Sequence, residues 1–140
     1  MPDDGPRSSL RVFFDVDDTL ITWDGRLRPH AHDVFGALRS RNAELFLWSG
    51  TGRRWGVAHA YDLAEFVTEC FAKPLSRHHE RLAEHGVPFV PDFVVDDDAD
   101  VVAAFGGTHV PAPLEPLEDD RELLRVISDF ELRFRLGDST

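Results

Sequence analysis

Four short apolar runs, each closely followed by a charged or hydroxyl side chain, constrain this chain more than any other feature. Residues 10–14 precede Asp15 and Asp17, 44–48 precede Ser49, 67–71 precede Lys73, and 93–95 precede Asp96 and Asp97. Runs this short and this rich in β-preferring residues read as buried strands. Helical segments are predicted between them. Ala31, Val34, Phe35 and Leu38 recur at helical spacing behind Pro29; residues 53–60 form a helix, with a shorter one near 62–66; Ser76 caps a helix running to about His85; and 99–105 form another. Strand and helix alternating in this way predict an α/β fold with a parallel sheet and helices on both faces. Parallel strands share a direction, so all these polar side chains emerge on one edge of the sheet, where such folds bind ligands.

The rest of the chain fits around this frame. Asp24 and Gly25 predict a tight turn between 21–23 and 26–28, a small β-hairpin standing above Asp15. Residues 108–110 read as a fifth, edge strand and 111–116 as a proline-rich connector. A last helix carries Leu123, Ile127, Phe130 and Phe134 on one face, with acids at 118–120 crowding its start and Arg133 and Arg135 near its end. One domain over residues 10–136, with loose tails at 1–9 and 137–140, is expected from 140 residues.

Charge and composition narrow the function. A formal net charge of −11 argues against partners held by charge on nucleic acid or acidic membranes, and leaves room for a small diffusible anion. Cys70 is the only cysteine, so no intramolecular disulfide forms. Residues 1–9 lack the apolar segment of a signal peptide, and no run reaches transmembrane length, so the cytoplasm is the expected compartment. Histidines at 30 and 32 are i, i+2, and His78 and His79 are expected to point apart on a helix, so zinc is not expected. Carboxylates two residues apart after a strand can face one point, where their repulsion calls for a cation; hard oxygen ligands suit Mg²⁺.

Taken together, these motifs resemble the haloacid dehalogenase superfamily, whose phosphatases carry four short motifs in this order. Phe13-Phe14-Asp15-Val16-Asp17-Asp18-Thr19-Leu20 matches the first, Leu47-Trp48-Ser49-Gly50 the second, Lys73-Pro74 the third, and Val94-Val95-Asp96-Asp97-Asp98-Ala99-Asp100 the fourth. The resemblance implies a Rossmann-like three-layer sandwich with a central parallel sheet of about five strands. It also implies a Mg²⁺-dependent phosphomonoester hydrolase acting through an aspartyl phosphate on Asp15. Asp17 would carry the proton, Ser49, Gly50 and Lys73 would bind the phosphoryl group, and Asp15, Asp17, Asp96 and Asp97 supply the candidate metal ligands. In the family the second aspartate meets the metal through its backbone carbonyl. The fourth motif can be aligned on Asp96, with Asp100 in support, or on Asp97; Asp96 is preferred.

Most members insert a cap domain, for which the spacings from Asp17 to Ser49 and from Ser49 to Lys73 leave no room. A capless site open to a phosphorylated substrate is therefore expected, with a second copy of the chain as a candidate cover. Trp23 and Trp48 flank these positions, Trp48 being expected in the core, and Arg53 or Arg54 are candidates to hold a substrate anion. A phosphotransferase of the same fold and a catalytically silent binding domain are the alternatives. A phospho-receiver domain fits less well, because Lys73 precedes Asp96 where a receiver has its lysine after the last strand.

Overall fold

The computed structural model describes residues 9–134, so the expected tails, apart from Ser9, and the end of the last helix at Arg135 lie outside the described residues. Five strands, β1 (Leu10–Asp15), β2 (Ala43–Ser49), β3 (Val67–Ala72), β4 (Phe93–Asp96) and β5 (Gly107–His109), form one sheet. Its order is β3-β2-β1-β4-β5 and every pairing is parallel. Four α-helices, α1 (Ala31–Ser40), α2 (Trp55–Ala60), α3 (Ala99–Phe105) and α4 (Leu124–Phe134), connect or flank the strands. The expected α/β sandwich with a five-stranded parallel sheet is thus the observed one.

Strand periodicity sorts the core into two layers. Val12, Phe14, Leu45, Leu47, Phe93 and Val95 pack on one face with Val34, Phe35 and Leu38 of α1, Ala58 of α2, and Val126 and Phe130 of α4. Phe13, Phe46, Trp48 and Val94 pack on the other with Val101 and Phe105 of α3 and with Leu82 and Val87. Phe13 stacks on Phe46 at 4.8 Å and meets Trp48 edge-on at 4.7 Å. Burying each such side chain contributes about 1.5–3 kcal/mol. Strand β1, covered on both faces and paired on both edges, is the most enclosed element and carries Asp15 to the centre of the sheet.

Strand order sets where a ligand can sit. The chain runs from β1 outward through β2 and β3, then crosses back to lay β4 on the other side of β1, which opens the crevice of a topological switch point between the ends of β1 and β4. Phe14 pairs with Val95, so Asp15 and Asp96 stand level on the two sides of that crevice.

Four local expectations are corrected. Residues 76–82 form no helix, and only a 3-10 turn at Ala83–His85 appears in that segment. Arg77 has φ 48, incompatible with a helical run, and tertiary contacts take the side chains: Ser76 accepts from Arg81, and the His79 ring lies 4.4 Å from Phe105 and bonds the Ala104 carbonyl. His78 also turns toward Phe105, so the two imidazoles converge there. The hairpin is present in minimal form, with one bridge, Ile21 to Leu27, the Thr22 N–H donating to the Arg26 carbonyl at 2.9 Å, the Arg28 N–H to the Leu20 carbonyl at 2.7 Å, and Asp24 held by Thr22 and Arg26 within the turn. The short helix near 62–66 is a 3-10 turn at Ala64–Phe66, and the neighbouring helix starts at Trp55. Finally, the acids at 118–120 lie in and just after a 3-10 turn, Leu117–Asp119, ahead of α4.

Asp120 instead meets a residue that no motif singled out. Arg28 is fully buried and pairs with Asp120 through Nε and Nη2, both at 3.0 Å, while its remaining donors reach the carbonyls of Pro111 at 2.8 Å and Thr19 at 3.3 Å. Removing one member of a buried pair strands the other. Arg28→Ala should therefore cost about 3–5 kcal/mol in urea denaturation, whereas Arg28→Met combined with Asp120→Leu costs much less. A single substitution costing no more than a surface change would contradict this.

Candidate active site

Lys73 is the hub at the sheet edge. Ser49 pairs with Ala72 across β2 and β3, which places Lys73 one step beyond, and the Lys73 N–H donates to the Ser49 carbonyl at 2.9 Å. From there the buried ammonium reaches Asp15 Oδ1 at 3.0 Å and Asp96 Oδ2 at 3.1 Å. The second oxygen of each acid is also engaged: Asp15 Oδ2 accepts from the Thr19 hydroxyl at 3.0 Å, and Asp96 Oδ1 from the Asp98 N–H at 2.9 Å.

Thr19 arrives beneath Asp15 because the loop after β1 folds back on itself. The N–H groups of Leu20 and Ile21 both donate to the Val16 carbonyl, at 2.9 and 3.1 Å, and Asp18 adopts φ 63, which Asp tolerates better than most residues. The Thr19 oxygen also accepts from the Asp97 N–H at 3.1 Å and lies 3.4 Å from Asp97 Oδ1. One hydroxyl has one proton, and the shorter contact assigns it to Asp15. Thr19 thus ties the first aspartate to the loop after β4, a role the motif alone did not reveal.

Charge in this cluster is unbalanced. Burial, and then the neighbouring Asp96, push the Asp15 carboxyl up to about 8 although Lys73 opposes the shift. Asp96 is also raised, again chiefly by burial. For Lys73 burial works against the charged form, but the two carboxylates outweigh it and the ammonium is raised above its ordinary value. Asp15, Asp96 and Asp97 offer oxygen atoms that all lie within 4.8 Å of one another. When all three are ionised, three carboxylates against one ammonium leave two negative charges, and the donors are all hard oxygens, so the set fits a divalent cation such as Mg²⁺. Asp96 and Asp97 both belong to this group, whereas Asp100 lies exposed in the first turn of α3 with its N–H bound by Asp98.

The Asp17 carboxylate stands apart from that group. It is exposed and meets Arg54, with Nη1 to Oδ2 at 2.8 Å and Nη2 to Oδ1 at 3.4 Å. Ser49 is buried; its Oγ lies 2.9 Å from Thr51 Oγ1 and accepts from the Thr51 N–H at 3.2 Å. Arg54 Nη1 also donates to Thr51 Oγ1 at 3.0 Å and to Ser49 Oγ at 3.3 Å. A Cβ on Gly50 would come within 2.8 Å of Leu75 Cδ2, so glycine lets that exposed leucine lie over the loop. With α2 only six residues long, the cationic group at the Ser49 loop is the Arg54 guanidinium rather than a helix end. At the end of β5, His109 Nε2 lies 3.0 Å from the Asp97 carbonyl; its place after a strand is the same signal that marked the other residues. Trp48 is in the core, as expected, while Trp23 is 90% exposed.

No family model matches the chain, and no curated protein does. What the cluster can do is therefore read from its own geometry. Folded Asp15 keeps a proton up to about pH 8, while unfolded Asp15 loses it near 3.8. The folded state then binds more protons across that window, so stability conferred by this group falls as pH rises through it. In EDTA the melting temperature should drop between pH 5 and pH 8, Asp15→Asn should flatten the drop and stabilise the protein at pH 8, and Mg²⁺ should restore stability there. An unchanged slope in Asp15→Asn would locate the effect elsewhere.

Proposed function

We propose that the chain is a Mg²⁺-dependent phosphomonoester hydrolase working through an aspartyl phosphate on Asp15. The observation that carries this reading is the Lys73 ammonium bridging Asp15 and Asp96 at 3.0 and 3.1 Å, with Asp97 completing a three-carboxylate cluster at the switch point. A phosphate monoester is an anion, and a carboxylate can attack it only where positive charge screens the approach. Held by Asp15, Asp96 and Asp97, Mg²⁺ would supply that screening and leave Asp15 ionised at neutral pH.

The residues then divide the work. Lys73 and the Thr19 hydroxyl hold the two oxygens of Asp15, fixing its direction of attack. One Asp15 oxygen forms a bond to phosphorus while the bond from phosphorus to the alcohol oxygen breaks. Asp17, protonated at that moment, gives its proton to the departing oxygen. Water then attacks phosphorus, Asp17 takes its proton, and inorganic phosphate leaves with Asp15 regenerated. Ser49, with its neighbour Thr51, presents hydroxyls to the phosphoryl oxygens.

Asp15 and Asp17 should fail differently. Asp15→Asn should reduce turnover of an aryl phosphate to background. Asp17→Asn removes only the proton carrier, which a good leaving group hardly needs, so its first step survives better than the second. Acid-quenched intact-protein mass spectrometry of Asp17→Asn should show one added phosphoryl group, mapped to Asp15. No turnover by wild type with Mg²⁺ across aryl phosphates, or a label on another residue, would overturn the proposal.

A further inference from the structure

Two adjacent arginines leave the Ser49 loop in opposite directions. Gly52, at φ 120, turns the chain just ahead of them. Arg53 turns to the outer edge of the sheet, where Nε donates to the Cys70 carbonyl at 2.8 Å and Nη2 pairs with Glu69 at 2.7 Å. Arg54 turns inward, and its Nη1 has three partners at once: Asp17, Thr51 and Ser49. A guanidinium carries five N–H donors in a rigid fork and suits tetrahedral oxyanions as well as carboxylates.

From this convergence we infer that Arg54 is a phosphoryl-binding residue that the substrate draws away from Asp17. The inference rests on the phosphomonoester reading above. The two hydroxyls that would receive the phosphoryl oxygens lie 2.9 Å apart, and Arg54 Nη1 stands 3.0 and 3.3 Å from them, so the same space is lined by both hydroxyls and the guanidinium. Asp17 and a phosphoryl group therefore compete for one cation. Asp17 is a weak competitor, since its carboxylate is 54% exposed and exposed ion pairs contribute little. A phosphoryl dianion carries twice the charge, and charge-assisted bonds to it are the stronger ones. Both oxygens of Asp17 face the guanidinium. Once the phosphoryl group is seated, Arg54 moves onto it and the Asp17 carboxylate becomes free beside the leaving group.

Binding of inorganic phosphate in the presence of Mg²⁺, followed by calorimetry on the full chain, tests the exchange without turnover. Asp17→Asn should tighten phosphate severalfold by removing the competitor. Adding Arg54→Ala to Asp17→Asn should then weaken it by about 10- to 100-fold, the usual range for bonds to a charged group, and Arg54→Lys should recover part of the loss. The Asp17→Asn background is essential, because there the loss of Arg54 cannot act by exposing the Asp17 charge. Arg53→Ala should leave phosphate affinity unchanged. With p-nitrophenyl phosphate, Arg54→Lys should raise KM more than it lowers kcat. A loss under about threefold for Arg54→Ala in that background would overturn the exchange while wild-type phosphate binding and turnover leave the hydrolase reading standing. Absence of both in the wild type would overturn the two together.

Discussion

A single buried ammonium facing three carboxylates governs this structure. Lys73 lies between Asp15 and Asp96 at the ends of neighbouring strands, and Asp97 closes the group from the following loop. Desolvated carboxylates repel strongly, and one lysine cannot neutralise three of them. The imbalance shows in Asp15, which burial and Asp96 drive up to about 8 despite a direct contact with the lysine. A sheet that brings carboxylates together at its switch point must relieve their repulsion, and the raised Asp15 carboxyl, which keeps its proton up to about pH 8, is one way it does so. That requirement makes the arrangement more informative than any of its residues alone.

The scaffold under this cluster is correspondingly tight. Asp15 emerges from the most enclosed strand, and the loop behind it is pinned twice: by the Thr19 hydroxyl on Asp15 and by Arg28 on the Thr19 carbonyl. Through its bidentate contact with Asp120, Arg28 ties the first-motif loop to the segment that leads into α4. Residues more than ninety positions apart thus fix one hydroxyl. A buried ion pair adds little net stability against an apolar replacement, so its physical value here lies in holding a carbonyl, and with it a side chain, in one place.

Much of this was legible in the sequence, for reasons that can be traced. The runs ending at Asp15, Ser49 and Asp96 are short, apolar and mostly buried, which leaves the polar residue behind each visible; the run before Lys73 is interrupted by Thr68 and Glu69 and only its place in the order marked the lysine. Asp97 entered as an alternative to Asp96, and the two prove to share the cluster. The helix expected from Ser76 failed because Arg77 takes a positive φ and His79 is used in tertiary contacts with Ala104 and Phe105, which no local pattern contains. Arg28 was invisible for the same reason, since its partners lie at Thr19, Pro111 and Asp120. Which of Arg53 and Arg54 faces the site is decided by partners far along the chain, Cys70 and Glu69 for Arg53 and Asp17 for Arg54, and not by residue type.

The two sides of the site differ in how firmly they are built. Around Ser49, the hydroxyls of Ser49 and Thr51, the Arg54 guanidinium and the Asp17 carboxylate bond one another, and even Gly50 is dictated by the leucine lying over it. On the other side, the turn at Asp24 is held from three directions, by Arg26 to Asp24, by Arg26 to Glu115, and by the Tyr61 hydroxyl to the Gly25 carbonyl, yet it projects Trp23 almost wholly into solvent. Leu75, exposed beside Gly50, is a second apolar group at the Ser49 loop. The chain therefore concentrates its polar order around Lys73 and Ser49, and leaves Trp23 and Leu75 as large apolar groups in solvent.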